Sequence, residues 1–215
     1  VGIISLDPSV QIILIPVIVF ALSFHEFAHG WVAFRFGDFT AQSAGRLTLN
    51  PLAHLDVFGS IAIYLMGFGW AKPVPVDPRN LQNPIRDMMW IALAGPVSNF
   101  ILALISGLLL RFLFTSGLIS GGSAFTVVLV MSLQINLALG IFNFLPIPPL
   151  DGSRILAGLL PPRYHRQLEL FEFYGPRILL GVILLGVITG FSVIGMIISP
   201  LIQFFANLFT LGIFG

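Results

Sequence analysis

Four stretches of the chain are apolar for long enough to cross a bilayer, which takes about 20 residues as a helix. They cover about residues 10–36, 88–110, 124–144 and 178–198. The second is uncharged throughout from Met88 to Leu110, and the third lies inside an uncharged run from Phe112 to Leu150. The last starts at Ile178 and stays uncharged to Gly215, with Pro200 inside it, so a kinked extension or interfacial segment is expected beyond about Ile198. Between the first two spans, about residues 40–80, the pattern changes. Arg46, Thr48 and Asn50 alternate with Leu47 and Leu49 up to Pro51, a period-two signal for a strand over Ser43 to Leu49. Phe58 to Trp70 is apolar but interrupted by Gly59, Gly67 and Gly69, and too short for a comfortable span. Together these two segments predict a small re-entrant β-hairpin or sheet. The segment of about 151–177, with Pro161-Pro162 and several charges, reads as interfacial. The expected fold is therefore an all-α polytopic membrane protein of about four transmembrane helices with a re-entrant β element in its first connector. The whole of residues 1–215 is expected to form one transmembrane domain.

Composition agrees. Hydrophobic residues make up 57% and charged residues 9%, against about a quarter charged in soluble domains. The basic residues are scattered, so nothing supports nucleic-acid binding, and the absence of cysteine excludes a disulfide framework, thiolate metal ligands and a thiol nucleophile. The first apolar stretch lacks a basic leader and a small-residue cleavage site, so it is expected to be retained rather than removed as a signal peptide. Arg35, Arg46, Lys72, Arg79 and Arg86 flank or fill the first long connector, and Arg154, Arg163, Arg166 and Arg177 the last; Arg111 alone of the ten basic residues lies on the opposite side. By the positive-inside rule both long connectors face the cytoplasm and the N-terminus lies outside.

Chemistry enters at His25-Glu26-Phe27-Ala28-His29, an H-E-x-x-H motif in the second half of the first span. Residues four apart share a helix face, so both imidazoles can grip one metal ion while the glutamate serves as a base. Such groups are expensive in hydrocarbon, and a bland helix would need a separate partner for each, whereas one ion satisfies both imidazoles. A catalytic zinc takes three protein ligands and keeps one open position. His54 and His165 lie in or near connectors. Asp151 is the better third ligand, because Pro146, Pro148 and Pro149 break the third helix just before it, and broken backbone at membrane depth is tolerated only inside protein or beside a wet cavity.

These elements resemble the site-2 protease family of intramembrane zinc metalloproteases. H-E-x-x-H in a first core helix is joined by Asn143-Phe-Leu-Pro146-Ile-Pro-Pro149-Leu-Asp151-Gly152 at the end of a third, by Gly95-Pro96-Val97-Ser98-Asn99 in the second, and by the connector Gly69-Trp70-Ala71-Lys72-Pro73-Val74-Pro75-Val76. The resemblance implies one zinc ion per chain held by His25, His29 and Asp151, Glu26 as catalytic base, and Asn143 as a donor near the scissile carbonyl. It implies transmembrane protein or peptide substrates. The expected location is a prokaryotic cytoplasmic membrane, and the distribution of basic residues puts the site towards the cytoplasm. Some members carry PDZ or CBS domains; at 215 residues a minimal form without either is expected.

A divalent-metal transporter would need a polar pathway through both leaflets and usually a repeated binding element, and the chain shows one site and no repeat. A non-catalytic scaffold leaves Glu26 without a purpose. His54 is expected to make a structural hydrogen bond or sit at the interface, and His165 to be solvated. Met66, Met88 and Met89 read as ordinary lipid or core positions. Asn99 is either interhelical glue or a group lining the site. Substrate is expected to pair in extended form with the Ser43–Leu49 edge.

Overall fold

The computed structural model describes residues 2–212, apart from the side chains of Pro162 and His165; the expectation for His165 thus falls outside the described residues. Helix α1 (Pro8–Arg35) starts where Asp7 accepts a hydrogen bond from the Ser9 amide and Pro8 occupies the first turn. Short α2 (Thr40–Ser43) and α3 (Val57–Met66) follow in the connector. Helix α4 (Pro84–Thr115) is held at its start by the Asp87 carboxylate, which reaches back to the Asn83 amide at 2.8 Å. Helix α5 (Ala124–Phe144) is capped by Ser123. The chain ends with α6 (Asp151–Leu159), α7 (His165–Thr189) and α8 (Val193–Thr210).

Helices α1, α4 and α5 form the framework. Polar contacts set their register: His29 meets the Ile91 carbonyl, His25 meets Asn99, Asn99 meets Asn136, and Ser106 meets Ser132. Each pairing joins antiparallel neighbours. Ala103, Leu133, Leu137, Ile141 and Ile198 make the apolar centre between α4, α5 and α8. Helix α8 runs parallel to α4: the Phe205 and Phe100 rings lie 5.1 Å apart, Phe209 abuts Gly107, and Arg111 Nη1 donates to the carbonyls of Thr210 and Leu211 at 3.2 and 2.9 Å. The first turn of α1 and the last of α8 therefore lie at the same end of the bundle as Thr115.

Several expectations are corrected. Among the described residues there is no strand, so the β-hairpin is absent. The alternation at Ser43–Asn50 belongs to a turn. Ser43 ends α2, the Arg46 amide donates to Ala41 O at 2.8 Å, and Asn50 accepts from the Leu52 amide to cap a 3-10 turn over Pro51–Ala53. The amides of Ser43 to Arg46 all donate to carbonyls between Phe39 and Gln42, which closes the segment into turns instead of a strand. The run Phe58–Trp70 is mostly α3, capped by Asp56 and ended by Gly67, with Tyr64 Oη donating to Gln11 near the start of α1. Five helices, not about four, are long and apolar enough to cross a membrane. The difference arises at Gly190, whose φ of +73° ends α7 in a conformation that costs glycine little; Ser192 then caps α8 by accepting from the Gly195 amide. Pro200 lies inside α8 rather than ending a span. The interfacial stretch expected over 151–177 resolves into α6 and the start of α7.

Candidate active site

The H-E-x-x-H turn of α1 faces the start of α6. His25 Nε2 and His29 Nε2 are 3.0 Å apart, and Asp151 Oδ2 lies 3.1 Å from the first and 3.3 Å from the second. Residues separated in sequence by the whole of α4 and α5 thus offer three ligand atoms to one point. Two helix faces bring this about: the i, i+4 spacing in α1, and the helix start that places Asp151 in the first turn of α6 after the prolines.

The other nitrogen of each ring fixes its proton. His29 Nδ1 lies 2.6 Å from the Ile91 carbonyl, which only accepts, so the proton is on Nδ1. His25 Nδ1 lies 2.6 Å from Asn99 Oδ1, which likewise accepts. In the neutral rings both Nε2 atoms then present lone pairs towards a carboxylate oxygen that is buried without a hydrogen-bond partner. Three electron-rich atoms about 3 Å apart repel one another. A single proton relieves one edge of the triangle; a divalent cation relieves all three. Tetrahedral zinc with bonds of about 2.0–2.1 Å separates its ligands by about 3.3 Å, close to the spacing found. The donor set fits zinc.

Gly95 of α4 makes the room. A Cβ at this position would clash with His29 Nε2 and stand 2.6 Å from His25 Cε1. Glu26 lines the adjoining cavity, and its Oε2 accepts from the Val74 amide at 2.8 Å. Val74 lies between Pro73 and Pro75, so it supplies the one backbone donor of that tripeptide, and the donor is spent on Glu26. The connector is in turn fixed to α1 by Asp38, fully buried, which accepts from the Asp77 amide, the Asn80 side chain, and the amide and hydroxyl of Thr40. Burial alone would raise the Asp38 carboxyl, but these donors outweigh it and hold it below the ordinary carboxylate range.

A cavity of about 1090 Å³ opens from the three ligand atoms, just above the usual range of about 300–1,000 Å³ for ligand sites. Its walls are largely apolar and come from α1, α5, α7, α8 and the extended segment Phe68–Val74, with Arg154 also lining it. Asn143 lines it too; its Nδ2 donates to Leu139 O at 3.0 Å. None of Ser43–Leu49 does, so the expected pairing edge lies away from the cavity. His54 is buried in the connector with Nε2 2.7 Å from Thr48 O, away from the ligand triangle. Asn99, left open by the sequence, is the hydrogen-bond partner of His25. The contributions of Asn136, Gly95 as a spacer and the Val74 amide are visible only once the helices are paired.

The family profile described as "Peptidase family M50" matches residues 13–123 and 120–188. The chain belongs to this family. It is similar to YwhC of Bacillus subtilis, 43% identical over 165 residues, covering 75% of each chain. It is also similar to Rip2 of Mycolicibacterium smegmatis, 34% identical over 72% of this chain and 60% of that one. A third relative is MJ0611 of Methanocaldococcus jannaschii, 32% identical over 62% of this chain and 63% of that one. All three bear the name "Putative zinc metalloprotease". No solved structure matches. This M50 chain is an integral membrane protein and a zinc metalloprotease of the site-2 type.

Proposed function

We propose that His25, His29 and Asp151 hold one zinc ion and that Glu26 is the catalytic base of an endopeptidase acting on membrane-spanning substrates. The convergence of the three ligand atoms, with the Asp151 oxygen buried and unpartnered, carries this reading. Held by these three residues, zinc would supply a Lewis acid for the scissile carbonyl and for water. Glu26 takes the water proton and delivers it to the leaving amine; the Val74 amide keeps its carboxylate aimed into the cavity meanwhile. Asn143 has two amide protons and Leu139 O takes one, leaving the other for the developing oxyanion. The domain that carries this activity takes in α8 as well, which packs on α4 and α5 beyond the matched residues 13–188.

The apolar cavity between α1, α5 and α8 supports entry of substrate from the bilayer, with local unwinding to expose the peptide bond. The distribution of basic residues supports a site towards the cytoplasm, and the bacterial and archaeal relatives support a prokaryotic cytoplasmic membrane.

The test uses purified full chain and a panel of single-span substrates. Chelation abolishes cleavage and zinc restores it. Glu26→Gln retains zinc but loses about 10²–10⁴ in rate, and Asp151→Ala loses zinc. Full zinc occupancy in Asp151→Ala removes Asp151 from the site, and wild-type turnover in Glu26→Gln removes the base.

A further inference from the structure

We propose that Asn136, which hydrogen-bonds none of the three ligands, is a positioning residue that sets the orientation of Asn99 and through it the proton of His25. The inference rests on the reading of His25 as a zinc ligand.

The Ser132 carbonyl only accepts, so the Asn136 atom 2.9 Å from it is the amide nitrogen. Asn136 must then turn its Oδ1 the other way, where it lies 2.9 Å from Asn99 Nδ2. Asn99 Nδ2 also has the Ala21 carbonyl at 3.3 Å, a second acceptor. With its nitrogen committed on that side, Asn99 presents Oδ1 to His25 Nδ1 at 2.6 Å. His25 therefore carries its proton on Nδ1 and offers Nε2 to the metal. A direction set by a backbone carbonyl of α5 is handed through two amides to a ligand on α1. Asn99 and Asn136 are both fully buried at the crossing of α1, α4 and α5, where no water competes for these bonds.

An amide reads the same shape in either orientation, so the bond network alone decides which end faces His25. A flipped Asn99 would donate its NH₂ to Nδ1 and drive the His25 proton onto Nε2, closing that ligand. Without Asn136, the Ala21 carbonyl at 3.3 Å alone opposes the flip. Residues that orient a metal-bound histidine typically contribute about 10–100-fold to metal affinity, and an indirect contributor belongs at the low end.

The experiment measures zinc affinity of the full chain in detergent by competition with a fluorescent chelator. Asn136→Leu weakens zinc binding by about tenfold. Asn136→Asp, which keeps an oxygen against Asn99 Nδ2 in either protonation state, stays near wild type. In an Asn99→Asp background, where both ends of the side chain are oxygen and orientation no longer matters, Asn136→Leu causes no further loss. Asn136→Ser replaces Asn136→Leu in all arms if the leucine variant does not fold. Unchanged affinity in Asn136→Leu or Asn136→Ser overturns the proposal, as does an equal loss in the Asn99→Asp background. Unchanged affinity in His25→Ala overturns instead the ligand reading beneath it.

Discussion

Replacing Gly95 by alanine separates two opposed physical effects. By helix propensity alone the change stabilises α4, since alanine is better than glycine in a helix interior by about 1 kcal/mol. The packing around Gly95 reverses the sign. The added methyl meets His29 Nε2 and stands 2.6 Å from His25 Cε1, and either ring can move into the cavity only by giving up its Nδ1 bond. His29 is tied through Nδ1 to the Ile91 carbonyl and His25 through Nδ1 to Asn99, each at 2.6 Å. Either a ring gives up that bond, or α4 moves away from α1. Overpacking of this kind costs about 1–3 kcal/mol. Most of that cost falls on the arrangement that gathers three ligands, so zinc affinity drops by about tenfold or more, at about 1.4 kcal/mol per tenfold. Zinc competition titration and thermal unfolding with and without zinc give the answer. Gly181→Ala in α7, where nothing lies within 4 Å of a new Cβ, is the control and should leave zinc affinity unchanged. Wild-type zinc affinity in Gly95→Ala, with a raised melting temperature, refutes the reasoning.

Val74→Pro deletes the amide that holds Glu26; because a hydrogen bond to a charged group is worth about 1.5–3 kcal/mol, turnover should fall by about tenfold or more while zinc content stays constant, and unchanged turnover excludes the contact from the mechanism. Asp38→Asn tests the connector. The Asp38 carboxyl titrates below its ordinary value in the folded chain, so its contribution is full above the ordinary pKa of about 3.9 and disappears as pH falls through the lowered value. The protection of the Asp77 and Thr40 amides against hydrogen exchange, taken relative to the intrinsic rate at each pH, should therefore fall on acidification through that window in the wild type. In Asp38→Asn, whose single side-chain oxygen can serve the Thr40 or the Asp77 amide but not both, one of the two should be unprotected already at neutral pH and neither should show such a step. Arg111→Ala removes the donors to the last carbonyls of α8 and should raise exchange in its final turn, leaving cleavage intact.

The convergence of His25, His29 and Asp151 was legible because its signals are chemical and rare. Two histidines at helical spacing and a carboxylate after a proline break mean much the same wherever the chain goes. The strand at Ser43–Leu49 was misread because period-two alternation records only which side chains point where; here the amides of Ser43 to Arg46 turn back to carbonyls between Phe39 and Gln42. The break at Gly190 was missed because an apolar sequence leading to Pro200 draws attention to the proline, whereas a glycine at positive φ ends a helix silently. Gly95, Asn136 and Val74 act on residues of other elements. Their roles depend on which faces of α1, α4 and α5 meet, and no local pattern carries that information.

The parallel course of α4 and α8 has a practical consequence for studies of sidedness. Asp7 and Leu211 sit at one end of the bundle, and Asp77 and Arg79 sit beside the opposite end of α4, with the connector that braces Glu26. Because the chain has no cysteine of its own, a single one introduced at Leu211 and another at Arg79 would report opposite compartments to a membrane-impermeant maleimide. A reporter placed next to Leu211 would stand at the end of the bundle away from the connector that braces Glu26, so it could be read out without crowding that connector.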